Sequence, residues 1–241
     1  MRPERYRSIA MMVAALCGLW LAGPLHAGAY DDMLTAMKQN DVPQVMRLLQ
    51  RGMDVNTSDQ AGNTLLMMAA RNGDEEMLEY LLKNRANVLK INKYGDSAIM
   101  LAALNGHLVA VTRLVAARSE INPKGWTPLT YAAFKGHVAV LRFLLDHAAD
   151  VDARASNGQT ALMLAAGNGH LEAIQLLLEH EADASLQDHK GQTAKQMALA
   201  ANNKDAARIL QKLDDDAETA ARRAADAQQK AHEPTLEILI H

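Results

Sequence analysis

The chain has 241 residues, of which 49% are hydrophobic and 22% are charged, and its formal net charge is −3. This slightly acidic balance argues against a nucleic-acid-binding surface, which requires clustered cationic side chains. A single cysteine, Cys17, excludes an internal disulfide framework.

The first segment of the chain is typical of a cleavable leader. Three arginines within the first seven residues precede an apolar run over residues 9–22, and a small-x-small pattern follows at residues 27–29. An uncleaved membrane anchor is the alternative, but 14 uncharged residues fall short of the ~17–25 needed to span a bilayer. We therefore predict a signal peptide over residues 1–29, cleaved after Ala29 or, as a second choice, after Ala27.

Removal of the leader changes the composition in a way that suits a periplasmic protein. The loss of three arginines and one glutamate leaves 22 basic and 27 acidic residues, a net charge of −5. The only cysteine is lost as well, so the remaining chain cannot form or mispair disulfides in an oxidising compartment. These features predict an exported, periplasmic protein with no stable membrane insertion after cleavage.

The central part of the chain is an internal repeat. Five glycines recur at intervals of 33, 30, 33 and 33 residues, namely Gly62, Gly95, Gly125, Gly158 and Gly191. A hydroxyl residue follows each glycine by two positions, where a helix N-cap is expected. These residues are Thr64, Ser97, Thr127, Thr160 and Thr193. Small alanine pairs, a closing glycine or asparagine and a second apolar helix come next, so each unit must stack on its neighbours to bury its apolar face.

This pattern resembles the ankyrin-repeat family over about residues 31–213. The resemblance implies an all-α solenoid of stacked helix-turn-helix pairs joined by β-hairpin-like loops, with about six repeats. Residues 32–56 are similar to an N-terminal capping repeat, and residues 188–213 are similar to a C-terminal one. The predicted organisation is therefore a leader over 1–29, a repeat domain over 30–213 and a charged, alanine-rich tail over 214–241.

Two departures from the family pattern stand out. The family histidine after the Thr-Pro-Leu motif is replaced by Met67, Met100 and Met163 in three repeats. That histidine usually makes local hydrogen bonds, so we expect this stack to rely more on packing. The other departure is the 30-residue interval, which places a three-residue loss within residues 116–124 and leaves little room for a normal hairpin tip.

The sequence offers little support for chemistry. His107, His137 and His170 occupy equivalent repeat positions, and helices packed ~8–10 Å apart would form a ladder of rings rather than one metal site. Motifs of a nucleophile elbow, a phosphate-binding loop or a zinc site do not occur. We predict a non-enzymatic protein with no metal and no cofactor.

The family resemblance implies that a partner meets the hairpin tips and the exposed side of the first helices. The matching positions predict a groove for another protein, centred on repeats three to five. The candidates are Arg71, Tyr94, Leu104, Asn105, Trp126, Phe134, Lys135, Asn157, Gln159 and Asn168. Large aromatic side chains are frequent anchors of interfaces. The alternative for Trp126 is that it covers the core beside the shortened loop.

The predicted function is to scaffold, hold or inhibit another protein, with the chain itself monomeric. A periplasmic stress-protection role, for example in peroxide defence, is one alternative, and immunity against a toxin is another. An enzyme is a third. For the tail, we expect a solvated helix or frayed segment, followed by a short apolar stretch, residues 236–240, that is either mobile or docks on the array or on a partner.

Overall fold

The computed structural model describes residues 23–232 of the chain. The arginines and the apolar run of the predicted leader lie outside these residues, as does the apolar stretch 236–240. In the described part, residues 27–29 belong to a helix, and the two predicted cleavage positions therefore fall within it. None of the described helices combines the length and apolar character needed to cross a bilayer.

The described residues form twelve helices joined by turns. In chain order they are α1 Gly23–Lys38, α2 Val42–Gln50, α3 Leu65–Asn72, α4 Glu75–Lys83, α5 Ala98–Leu104, α6 Leu108–Ala116, α7 Pro128–Lys135, α8 Val138–Asp146, α9 Ala161–Asn168, α10 Leu171–Glu179, α11 Ala194–Ala200 and α12 Lys204–His232. Consecutive helices pair into six repeats, and two isolated antiparallel bridges, Ser58–Thr64 and Ile91–Ser97, mark hairpin tips. The predicted all-α repeat fold is confirmed.

The described chain divides into two compact units. The first comprises residues 23–102 and 109–119, and the second comprises residues 103–108 and 120–232. The first unit therefore holds repeats one and two with most of repeat three. The second holds repeats four to six together with the turn between α5 and α6.

Threonine side chains start four of the first helices, as predicted. The hydroxyl of Thr127, for example, accepts a hydrogen bond from the N–H of Thr130 at 3.1 Å, and Thr64, Thr160 and Thr193 cap in the same way. Ser97 differs, because its hydroxyl oxygen is buried without a hydrogen-bond partner. The prediction that Ser97 would cap in the same way is therefore wrong.

The residues that replace the family histidine still make a local hydrogen bond in most repeats. The N–H of Thr64 donates to Sδ of Met67 at 3.4 Å, and the N–H of Ser97 donates to Sδ of Met100 at 3.2 Å. Thr130 Oγ1 accepts from the N–H of Thr127 in the same position at 2.8 Å. A thioether or a hydroxyl therefore takes the place of the ring nitrogen in these repeats, and because sulfur is a weak acceptor, a greater reliance of the stack on packing stays a prediction.

Small residues let the first helices of the second unit stack closely. Helices α7, α9 and α11 pack in series, and Ala132 and Ala133 of α7 are fully buried between their neighbours. Ala165 and Ala166 are equally buried in α9. The second helices supply larger apolar side chains to the same core, among them Leu141, which is fully buried. Dense packing of this kind is what each repeat cannot achieve alone.

A second set of hydrogen bonds joins each of repeats four, five and six to the repeat before it. Nε2 of His137 donates to the carbonyl oxygen of Leu104 at 3.1 Å, and Nε2 of His170 donates to that of Phe134 at 3.1 Å. Asn203 takes this place in the last repeat, where Nδ2 donates to the carbonyl oxygen of Gly167 at 2.8 Å. The histidine ladder thus ties helix ends together, in keeping with the loop and helix-start role expected from the sequence.

The glycines that end the first helices make room for this ladder. Gly136 has φ +72°, and a Cβ added there would lie 2.6 Å from Nδ1 of His170. Gly106 meets His137 in the same way. These glycines therefore serve two needs, a left-handed backbone and the close approach of the next repeat.

The hairpin tip of the fourth repeat is missing, as the 30-residue interval predicts. In the other four tips a backbone N–H donates to the carbonyl oxygen four residues later at 2.9–3.0 Å, the donors being Asp59, Asn92, Ala155 and Asp188. Within the part of the chain that the structure describes, residues 123–126 make no backbone–backbone hydrogen bond. Their backbone is therefore held only by its ends.

Asn122 locates the deletion more closely. Its Nδ2 donates to the carbonyl oxygen of Ala148, and its Oδ1 accepts from the N–H of Asp150, both at 2.9 Å. Asp152 makes the equivalent contact with the N–H of Asp183, six residues ahead of its tip glycine. Asn122 stands only three residues before Gly125. The missing residues therefore lie between Asn122 and Gly125, at the end of the predicted window.

The first and last helices both extend their repeats. In α1, Met33 is fully buried and the hydroxyl of Tyr30 donates to the carbonyl oxygen of Ser58 at 2.8 Å. Helix α12 runs for 29 residues, about 43 Å at 1.5 Å per residue. It is buried as far as Leu210, and every described side chain from Gln211 onward is exposed.

Candidate functional site: a cleft across repeats four to six

The first helices of the second unit line a cleft of ≈ 420 Å³. Helices α7, α9 and α11 all contribute residues to it, because equivalent positions of stacked repeats recur on the same face. The lining residues are Phe134, Gln159, Leu164, Gly167, Asn168, Gln192, Met197, Ala200 and Ala201. Apolar side chains and small residues thus alternate with three amides.

Phe134 connects this cleft to an aromatic cluster. The Trp126 ring lies 5.0 Å from the Tyr131 ring and 6.5 Å from the Phe134 ring, the latter in an edge-to-face arrangement. Nζ of Lys135 lies 5.2 Å from the centre of the Phe134 ring, a cation–π distance. All three aromatic rings are half-buried. Trp126 therefore packs onto α7 and keeps part of its surface available.

Amide side chains fix the rim of the cleft. Nδ2 of Asn157 donates to Oε1 of Gln159 at 2.8 Å, and Nε2 of Gln159 approaches Sδ of Met197 at 3.6 Å. Nδ2 of Asn168 donates to the carbonyl oxygen of Leu164 at 2.8 Å. These contacts hold the polar groups in place before any partner arrives, which lowers the entropy lost on binding.

The structure brings most of the predicted residues of the second unit together. Phe134, Gln159 and Asn168 line the cleft, and Trp126 touches Phe134. Lys135 and Asn157 join through the contacts given above, while Asn105 is exposed and Leu104 is half-buried at the end of α5. The remaining candidates, Arg71 and Tyr94, belong to the first unit, where both are exposed.

Sequence reasoning missed several residues of these surfaces. Met197 and Leu164 line the cleft, but the sequence pattern alone does not indicate that their side of the helix faces it. In the first unit, Leu89 is 61% exposed and Ile91 is 63% exposed. A signal for Ile91 was available, because the equivalent position in the second repeat is the polar Ser58.

The acidic groups of the tips have structural roles. Burial acts to raise the pKa of Asp59, but hydrogen bonds from the Asn63 side chain and from the N–H groups of Asn63 and Ala61 outweigh it and lower that pKa. The N–H of Gln192 likewise lowers the pKa of Asp188. In residues 23–232 no three histidine, cysteine or acidic side chains are grouped so that they could hold a metal ion.

Comparison with known proteins gives partial matches to several repeat proteins. The chain is 34% identical over 107 residues to "Ankyrin repeat and SAM domain-containing protein 6" of Mus musculus, which is 42% of this chain and 12% of that protein. It is 28% identical over 119 residues to "Putative ankyrin repeat protein YahD" of Escherichia coli (strain K12), 48% of this chain and 59% of that protein. The chain thus spans less than two thirds of either relative.

A family model described as "Ankyrin repeats (3 copies)" matches residues 33–124, 86–155 and 149–223. These overlapping matches cover all six helix pairs described above except the first turns of α1 and the end of α12. The chain therefore belongs to the ankyrin-repeat family.

Proposed function

We propose that this protein is an exported module that binds another protein through the cleft across repeats four to six. Ankyrin repeats generally act as protein-interaction modules rather than catalysts, and this supports the class of function. The proposed surface lies one repeat further along the chain than the groove expected from the sequence. Its work would be to scaffold, hold or inhibit the bound partner.

The observation that carries this proposal is the composition of the cleft. Phe134, Leu164 and Met197 offer apolar area, and ordered amides surround it. Protein interfaces commonly combine an apolar centre containing aromatic residues with a polar rim. A volume of ≈ 420 Å³ accommodates one or two large side chains of a partner rather than a whole domain. The partner would therefore insert an apolar anchor beside Phe134.

Export is the other part of the proposal, and it depends on the leader alone. The basic, apolar and small-residue regions of residues 1–29 follow the order of a signal peptide. The periplasm would then be the compartment in which the partner is met. Stress protection and toxin immunity stay predictions from sequence, as no contact of the described residues favours either.

Site-specific photo-crosslinking tests the binding surface. A photoreactive phenylalanine analogue at Asn168 stands on the rim of the cleft, and the same analogue at Arg142, an exposed position of α8, serves as the matched control. After illumination of intact cells, we expect a discrete crosslinked species from position 168 and none from position 142.

Removal of the anchor site completes the test. Phe134→Ala in the position-168 variant is expected to abolish the crosslinked species while the far-ultraviolet circular dichroism stays unchanged. Equal crosslinking from both positions, or crosslinking that survives Phe134→Ala, would show that the cleft is not the binding surface. Cell fractionation, together with the mass of the purified chain, checks export separately. A chain that stays in the cytoplasmic fraction with its leader intact would contradict export.

A further inference from the structure

The exposed part of α12 lacks the tertiary contacts that ordinarily support a helix. Beyond Leu210 it continues for 22 residues, about 33 Å, and its described side chains are exposed. Local ion pairs such as Arg222–Glu218 at 2.6 Å are exposed and stabilise an isolated helix only slightly. Isolated helices are marginal in water, and most helical stability in proteins comes from packing of one face. The described residues of α12 beyond Leu210 therefore present a face that packs against no other element.

The charges along α12 are distributed with opposite sign in its two halves. Residues 214–218 contain four acidic residues and no basic one, whereas residues 222–230 contain three basic residues and one acidic residue. Parallel alignment of two such helices would set like charges against each other. Antiparallel alignment sets the acidic half of each against the basic half of the other, which attracts both ends at once.

The apolar positions select a register for that alignment. From Leu210 onward, leucine or alanine recurs at residues 213, 217, 220, 224, 227 and 231, with alternating intervals of three and four. This is the period of a coiled-coil seam. If Leu213 of one helix faces Ala224 of the other, Asp216 lies beside Arg223 of the second copy, and the symmetric pair forms as well.

We propose that the protein forms a dimer in which α12 pairs antiparallel with α12 of a second copy. The pairing covers Leu213, which is 37% exposed in the single chain. It replaces the monomer expected from the sequence, because the capping repeats close the array but leave the part of α12 beyond Leu210 outside it.

Charge-reversal variants test the proposal. Each is made in the full sequence, expressed in cells and purified, and its dimer dissociation constant is measured by sedimentation equilibrium. Asp216→Arg and Arg223→Glu each turn two attractive contacts into repulsive ones, so each variant alone is expected to weaken the dimer roughly tenfold. A mixture of the two variants restores both attractive contacts, so a heterodimer of native affinity is expected. The matched controls Asp215→Arg and Arg222→Glu lie on the opposite side of the helix and are expected to leave the dimer unchanged.

The outcomes separate this proposal from the cleft across repeats four to six, which none of these substitutions touches. Dimerisation that weakens in each variant and returns in the mixture supports antiparallel pairing. A wild-type chain that sediments as a monomer at every concentration up to the millimolar range overturns it. A dimer that persists in both Asp216→Arg and Arg223→Glu, or that fails to return in the mixture, also overturns it. Circular dichroism of each variant verifies that the exposed substitutions leave the fold intact.

Discussion

Gly136→Ala tests the joint between the fourth and fifth repeats. The backbone at Gly136 has φ +72°, and an added Cβ would lie 2.6 Å from Nδ1 and 2.7 Å from Cγ of the His170 ring. Since Cγ is the root of the ring, rotation about the ring bond cannot relieve the contact. His170 must move as a whole, and it then loses its hydrogen bond to the carbonyl oxygen of Phe134.

The expected cost is the sum of two effects. A left-handed backbone costs alanine about 1–2 kcal/mol. The lost hydrogen bond of His170 adds roughly 0.5–1.5 kcal/mol, so Gly136→Ala is expected to lower the free energy of unfolding by about 1.5–3.5 kcal/mol. Gly95→Ala is the matched control, because φ there is +87° and no neighbouring atom lies within 4 Å of the added Cβ. It should cost the backbone strain alone.

Urea denaturation followed by circular dichroism and by tryptophan fluorescence measures both variants, with agreement of the two probes as the check on two-state behaviour. A His170→Ala background removes the ring, and in it Gly136→Ala is expected to cost no more than Gly95→Ala does in the native background. Equal costs of the two glycine substitutions in the native background would refute the reasoning, as would a failure of His170→Ala to relieve the difference.

Three further predictions concern the helix starts and the connectors. Thr127→Ala is expected to lower the free energy of unfolding by about 1 kcal/mol, whereas Ser97→Ala is expected to be neutral or stabilising, because the Ser97 hydroxyl has no partner; chemical denaturation compares them. Met67→Leu is expected to cost roughly 0.5 kcal/mol more than Met163→Leu, because Sδ of Met67 accepts a hydrogen bond from the N–H of its N-cap residue Thr64, a contact that the described structure does not give Met163. A chemical denaturation series that ranks the two variants equally would count against the sulfur acceptor. Burial raises the pKa of Asp152, so the ionised form is disfavoured in the folded chain, and Asp152→Asn is expected to raise the free energy of unfolding at neutral pH by roughly a few tenths of a kcal/mol. This stabilisation should fade as the pH falls through the raised pKa toward the ordinary value of 3.8. A stabilisation that persists at lower pH would contradict burial as the cause.

The fold could be predicted because the repeat presents each signal several times. One Thr at a helix start is weak evidence, but Thr64, Thr127 and Thr160 in the same phase reinforce one another. The same logic assigned the helix-ending glycines and located the shortened tip. Local rules and the stacking requirement point to one answer here, which is the condition under which sequence reasoning works.

The failures have a common physical origin. Ser97 occupies the same slot as the threonines, yet its hydroxyl remains unpaired, and alignment alone does not determine a rotamer. The role of Met67 as an acceptor was missed because thioethers are ordinarily treated as core filler. Met197 and Leu164 were missed because the side of a helix that faces the cleft follows from the stacking of three repeats, not from any one of them.

The shortened tip shows that the helices keep their repeat geometry although the segment that joins them is three residues shorter than in the other repeats. Asn122 anchors the connector to the next repeat, and Thr127 starts α7. The positions of these two anchors do not depend on the number of residues between them. Each doubling of a flexible loop costs only about 0.6 kcal/mol in closure entropy. The segment beside Trp126 is therefore a position at which the array should tolerate an insertion. A foreign segment inserted there would lie beside the aromatic cluster of Trp126, Tyr131 and Phe134, while the helices kept their places.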